Sequence, residues 1–184
     1  AAADHLVKAW YKTYGLPILL TNCSNNYGPY QFPEKLIPLV IMNAINKKKL
    51  PIYGNGEQER DWLFVDDHAK ALHKVITKGK IGETYNIGGN TVKTNLEVVL
   101  EICNNLDIIY KTKEKNINKF SDSIKYVKDR PGHDKRYALN SSKIKKELKW
   151  MPKMNLHEGI IKTFQWYLEN KKYYQSIYKK DITK

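Results

Sequence analysis

Cys23, Cys103, His68, His73 and two glycine pairs are the first residues whose types invite a chemical reading. A thiol can attack a carbonyl or bind a metal. Neither cysteine has a histidine or an acid at a recognisable partner spacing, and two cysteines make no disulfide framework. Cys23 reads as a small residue lining a pocket. His68 and His73 stand five positions apart, whereas a helical ligand pair shares a face at i, i+4, so no metal site is expected. Gly54-x-Gly56 lacks the third glycine and the strand-to-helix setting of a dinucleotide loop, and Gly88-Gly89 is no nearer to one. Both read as turns. Three segments dense in polar, aromatic and charged side chains remain: Thr21 to Pro38, Gly54 to Asp67, and Asp129 to Asp134.

The elements that position these segments follow from periodicity. Leu6, Val7, Trp10 and Tyr14 recur at helical spacing, and Gly15 suits the left-handed position that ends a helix. Ile18 to Thr21 is a short apolar run of the kind found in buried parallel strands. Asn22 to Pro29 then forms a polar loop at the strand's carboxyl end, where open α/β sheets bind ligands. Leu36, Ile37, Val40, Ile41, Ala44 and Ile45 mark a second helix, entered by Pro33 and closed by Lys47-Lys48-Lys49, where cations suit the macrodipole. Strands are expected at Pro51–Tyr53, Asp61–Val65 and Thr84–Ile87. Asp66 is expected to cap a helix that turns Ala69, Leu72, His73 and Ile76 to one face. Thr94 and Glu97 have capping-box spacing before a helix bearing Leu96, Val99, Leu100 and Cys103. Residues 111–122 read as a polar surface loop and Asp129–Asp134 as a compact turn. Short helices follow Asn140 and Asn155. Strand–helix alternation early and a mixed pattern later give an α/β fold class: the C-terminal part of a Rossmann-type doubly wound sheet plus a small mixed α/β domain.

The net charge of +13 raises the question of nucleic acid, but only Arg60, Arg130 and Arg136 among 32 basic residues are arginine. The lysines are dispersed, and Lys, Asn and Ile share A/T-rich codons, so the charge reads as a solvated surface and no nucleic-acid partner is expected. No apolar run approaches the roughly 20 residues of a membrane span, so no membrane partner is expected either. The opening Ala1-Ala2-Ala3-Asp4 has neither an initiator Met nor a signal-peptide pattern, and it reads as cut from a longer chain. Free cysteines fit a reducing cytoplasm.

Taken together, Thr21-Asn-Cys-Ser-Asn-Asn-Tyr-Gly-Pro-Tyr-Gln-Phe-Pro-Glu-Lys-Leu-Ile-Pro38, Gly54-Asn-Gly-Glu-Gln-Glu-Arg-Asp-Trp-Leu-Phe-Val-Asp-Asp67, Tyr85-Asn-Ile-Gly-Gly89 and Asp129-Arg-Pro-Gly-His-Asp134 resemble the dTDP-glucose 4,6-dehydratases. These belong to the extended short-chain dehydrogenase/reductases, and the likeness runs from Ala1 to about Leu168. The resemblance implies NAD as cofactor, a dTDP-sugar substrate, a homodimer and a cytoplasmic setting in dTDP-rhamnose and related deoxysugar synthesis. It implies that Cys23 and Asn26 approach the nicotinamide end of NAD, and that Asn25, Lys35 and Leu36 face the sugar and diphosphate. Pro51 and Tyr53 would flank the thymine, with Arg60, Asn95, Arg130 and His133 around the diphosphate and nucleoside. Chemistry agrees for the arginines, whose planar fork grips phosphate oxygens in pairs while a lysine acts as a point charge; the alternative is a pair of surface ion-pair partners. By the same resemblance, residues 1–50 are the tail of the NAD-binding domain and 51–184 mostly substrate domain, with 66–87 returning to the sheet. The family's Gly-rich loop, its water-eliminating acid pair and its Tyr-x-x-x-Lys pair are expected upstream of Ala1, so no catalytic residue is assigned and the chain alone is expected to be inactive. Leu6, Val7 and Trp10 are then candidates for a subunit interface. Sibling nucleotide-sugar enzymes (a UDP-sugar decarboxylase or epimerase, or a GDP-mannose dehydratase) and a non-catalytic dimerisation or binding remnant stay open.

Overall fold

The computed structural model describes residues 1–111 and 119–174. Helix α1 spans Ala2–Tyr14 and stops at Gly15, whose φ of 68° is left-handed and whose N–H donates to the Tyr11 carbonyl. None of its residues is buried; Leu6, Trp10 and Tyr14 face outward. Strand β1 forms at Leu20–Cys23, two residues later than its apolar run, because that is where its partner lies. It pairs in parallel with β5 (Thr84–Ile87), Leu20 opposite Thr84 and Cys23 opposite Ile87. Ile18 is buried ahead of the strand, and its carbonyl accepts from the Gly82 N–H instead.

The expected loop after β1 contains a second strand. β2 (Asn25–Tyr27) lies parallel to β4 (Glu59–Phe64), Asn25 opposite Trp62 and Tyr27 opposite Phe64. β4 is the organising strand, since it also pairs with β6 (Val92–Thr94) and β8 (Arg136–Tyr137). β3 (Leu50–Tyr53) pairs in parallel with β7 (Ile124–Val127). Successive side chains of a strand point to opposite faces. Trp62 and Phe64 therefore enter one core, with α2 (Leu36–Ile45), α4 (Asn95–Lys111) and α6 (Leu156–Glu169). Leu63 enters a second core with α3 (Val65–Lys78) and α5 (Ser142–Leu148). Between Trp62 and the segment leading into β6 the backbones approach so closely that a Cβ on Gly89 would sit 1.9 Å from the Trp62 carbonyl oxygen. Asp61, buried on the Leu63 face, fixes this crossing by accepting from the N–H groups of Gly89 at 2.9 Å and Thr91 at 2.8 Å.

Two expectations about α3 are corrected. Asp66 caps nothing: Phe64 occupies the N-cap, with no side-chain capping bond. β4 runs into α3 without a turn, so no side chain swings back over the free amides. The inward stripe is Asp67, Ala71 and Val75, while Ala69, His73 and Ile76 are exposed. Asp67 supplies the reason for the rotation, since one carboxylate oxygen accepts from Lys153 and Met154 N–H groups, both at 2.7 Å.

The capping box does form: Glu97 N–H donates to Thr94 Oγ1 at 3.1 Å and Thr94 N–H to Glu97 Oε2 at 2.7 Å. Its helix buries Val98, Val99, Ile102, Cys103 and Leu106, and Leu100 turns outward. Asn155 caps α6 by accepting from Glu158 N–H at 2.9 Å. Residues 112–118 of the expected surface loop lie outside the described residues, and Phe120–Ser123 forms a 3-10 turn. Among the described residues, no helix is long and apolar enough to cross a membrane.

Candidate functional site

Strand alternation carries Arg60 to the same face of β4 as Trp62, and both line a cavity of about 610 Å³. Asn25 and Asn26 reach it from β2, Lys35 and Leu36 from the entrance of α2, and Pro51 and Tyr53 from β3. Asn95, at the start of α4, and Arg130 and His133, from the turn after β7, complete the wall. Every candidate binding residue thus converges here except Cys23. That residue ends β1 beside Ile87, and its carbonyl lies 3.5 Å from the Tyr137 hydroxyl. Gln31, Glu34, Ile37, Leu39 and Trp62 also line the cavity and were not singled out from sequence. Trp62 was legible, being two residues along a strand from Arg60.

The cationic wall is built from fixed parts. Arg60 is buried and donates through Nη1 to the Glu59 carbonyl at 2.7 Å and through Nη2 to the Asp134 carbonyl at 2.8 Å. Burial holds its guanidinium below the ordinary value; Asp134 opposes that shift and the Arg130 charge adds to it. Two guanidiniums that feel each other, with His133 on the same cavity, make a place suited to a polyanion. The Asp129 carboxylate stands behind them. It accepts from Arg130 N–H at 2.8 Å, from Gln58 Nε2 at 2.8 Å, and contacts His133 Nδ1 at 2.7 Å. The His133 bond, foremost, holds Asp129 below the usual carboxylate range, with help from the Arg130 amide and Gln58. Lys35 pairs with Glu34 at 2.9 Å on the exposed rim, where an ion pair contributes little.

Other parts of the lining seek donors. Asn26 Nδ2 donates to the Ser24 carbonyl at 3.0 Å, and Gln31 Nε2 to the Asn26 carbonyl at 2.7 Å. These bonds orient both amides and, among the described residues, leave Asn26 Oδ1 and Gln31 Oε1 buried without a partner, as is Ser24 Oγ. A buried acceptor without a donor costs about 1–3 kcal/mol. A carboxamide or sugar hydroxyl would satisfy them, so Asn26 fits one end of a nicotinamide cofactor, whereas Cys23 offers no side-chain contact to this cavity. Among the described residues, no cluster of three or more His, Cys, Asp or Glu could hold a metal. Tyr167 and Lys171 have the Tyr-x-x-x-Lys spacing. Tyr167 is nonetheless fully buried in α6, donates its hydroxyl to the Gln31 carbonyl, and is held above its ordinary pKa by burial first and Tyr173 second. It is a core tyrosine.

Residues 1–163 match the family model described as GDP-mannose 4,6 dehydratase. Among curated relatives, an Escherichia coli dTDP-glucose 4,6-dehydratase is 59% identical over 96% of this chain and 49% of its own length. The enzyme of the same description from Neisseria meningitidis serogroup B is 55% identical over 96% of this chain and 50% of its own. The chain therefore spans about half the length of the curated relatives it matches. The crystal structure of the Bacillus anthracis dTDP-glucose 4,6-dehydratase in complex with NAD superposes with a TM-score of 0.83 at 50% identity, covering 96% of this chain and 52% of that one. A Bacillus cereus UDP-glucuronic acid 4-epimerase gives 0.77 at 25% identity, covering 91% and 50%. The α/β scaffold is thus shared across nucleotide-sugar enzymes, and the higher identities fall on one substrate class. The chain belongs to the family described as GDP-mannose 4,6 dehydratase, and it is similar at 55–59% identity to dTDP-glucose 4,6-dehydratases.

Proposed function

We propose that this chain forms the nucleotide-sugar side of an NAD-dependent dTDP-glucose 4,6-dehydratase, which converts dTDP-glucose to dTDP-4-keto-6-deoxyglucose and water. The observation that carries the reading is the meeting of Arg60, Arg130 and His133 on one cavity that Asn26 and Gln31 also line. The guanidiniums and His133 take the diphosphate. Pro51 and the half-exposed Tyr53 offer flat apolar contact to a base, and Asn25, Lys35 and Leu36 meet the sugar and diphosphate from the α2 side. NAD, when bound, would supply the hydride acceptor for oxidation of the ring and, once reduced, the hydride donor after loss of water. Asn26 would hold its carboxamide end, and Cys23 stands beside that path on β1.

The role of these residues is positioning: fixing the nucleotide so that the reacting sugar carbons present themselves to one cofactor face. In this reading residues 1–50 continue a Rossmann domain, residues 51–184 form mostly the substrate domain, and 66–87 return to the sheet. Proton transfer is assigned to residues outside these 184, so the chain alone is inactive. The complete protein is a cytoplasmic homodimer of deoxysugar synthesis, dTDP-rhamnose included, with the outward face of α1 at the subunit contact.

The sibling reading, a UDP- or GDP-sugar enzyme, keeps the diphosphate wall and changes the base. Calorimetric binding of dTDP, UDP and GDP to the complete protein separates them. Preference for dTDP is expected, and a clear preference for UDP or GDP sinks the thymidine assignment.

A further inference from the structure

His133 can donate to an anion through Nε2 in only one protonation state, and its neighbour decides which. Its side chain is 7% exposed and its Nδ1 lies 2.7 Å from Asp129 Oδ1. An ionised carboxylate only accepts hydrogen bonds, so the Nδ1 position carries a proton. In the neutral ring Nε2 is then a bare lone pair, which a phosphate oxygen repels. A second proton converts that same nitrogen into a charged donor. The other Asp129 oxygen takes the Gln58 amide at 2.8 Å, so Gln58 Oε1 faces Asn95 Nδ2 at 3.4 Å. With its amide nitrogen turned to Gln58, Asn95 presents its carbonyl oxygen as the acceptor for a ligand. Gly54 makes room for the carboxylate: its φ is 59°, and a Cβ there would lie 2.9 Å from Asp129 Oδ2.

We infer that Asp129 is a positioning residue that sets the hydrogen-bond polarity of the anion-binding wall. Through Nδ1 it makes His133 a phosphate donor only as the imidazolium, and through Gln58 it turns Asn95 into an acceptor. The inference rests on the nucleoside-diphosphate reading of the cavity. His133 therefore offers an anion a donor only with protons on both ring nitrogens, beside the guanidiniums of Arg60 and Arg130 that line the same cavity.

Two measurements on the complete protein test this. Long-range proton–nitrogen spectra of histidine-labelled, ligand-free protein read the tautomer of His133 directly, and calorimetry with dTDP compares the affinity of wild type and variant. The expected result is the Nδ1–H tautomer in the wild type. In Asp129→Asn, whose amide can donate as well as accept, that single tautomer is lost and dTDP binds about tenfold or more weakly, the scale of one charge-assisted hydrogen bond. An Nε2–H tautomer in the wild type overturns the inference, as does an Asp129→Asn protein that keeps the Nδ1–H tautomer and the wild-type affinity. An Nδ1–H tautomer in a protein that binds no dTDP at any pH instead overturns the nucleotide reading and leaves the polarity of the wall standing.

Discussion

Replacing Arg60 by lysine keeps the charge and removes the fork, which isolates geometry from electrostatics. The guanidinium already commits two N–H groups to the carbonyls of Glu59 and Asp134, and of its five donors about three remain for a ligand. A lysine ammonium has three donors on one nitrogen. Once it satisfies those two carbonyls it cannot also present a parallel pair to a phosphate. The loss is at least one charge-assisted hydrogen bond, about 1.5–3 kcal/mol, or roughly ten- to hundredfold in Kd for dTDP. Isothermal calorimetry on the complete protein measures it, with Arg136→Lys as the control. Arg136 lies on β8, bonds Glu59 Oε2 at 2.8 Å, is largely exposed and is absent from the cavity wall. Arg60→Lys binding dTDP within about threefold of wild type, or Arg136→Lys weakening it equally, refutes the argument that the fork holds the ligand.

Two further outcomes follow from the fold. Asp67→Ala strips the Lys153 and Met154 amides of their common acceptor and is expected to cost about 2–4 kcal/mol in denaturant unfolding, against under about 1 kcal/mol for Asp66→Ala; equal costs would refute the assignment. Cys103 is fully buried and its thiol is pushed up to about 12, by burial first and Asp107 second. At mildly alkaline pH a thiol reagent followed by peptide mass spectrometry should therefore find the partly exposed Cys23 modified first, and Cys103 only after denaturation. Modification of both at one rate would show that the α4 core opens freely.

Helix faces were legible where the signal was local. Thr94 and Glu97 announce a capping box by spacing alone, and Gly15 and Asn155 mark helix ends through conformations and bonds confined to a few residues. Strands were legible only when apolar. β2, β6 and β8 are short and polar, and exist because β4 offers each of them a ladder; nothing in Asn25-Asn26 alone dictates extension. Asp66 and Asp67 are indistinguishable in sequence, and the choice between them is made by amides more than 80 residues downstream. In the cavity, Tyr53, Arg60, Arg130 and His133 were readable through the motifs that carry or adjoin them. Gln31, and Gln58 behind the wall, were not, because their importance lies in which end of an amide a distant neighbour occupies.

The pairing of β3 with β7 joins Leu50 to Ile124, an interval of 74 residues, and the turn bearing Arg130 and His133 hangs directly from it. Closing so long a loop is an entropic cost met before its contacts can reward it, which places such pairings late in folding. The anion-binding wall is then among the last surfaces to be completed. Ligand affinity would appear only after this long-range registration is made, so dTDP capture during refolding would time that event rather than the earlier collapse of the helices.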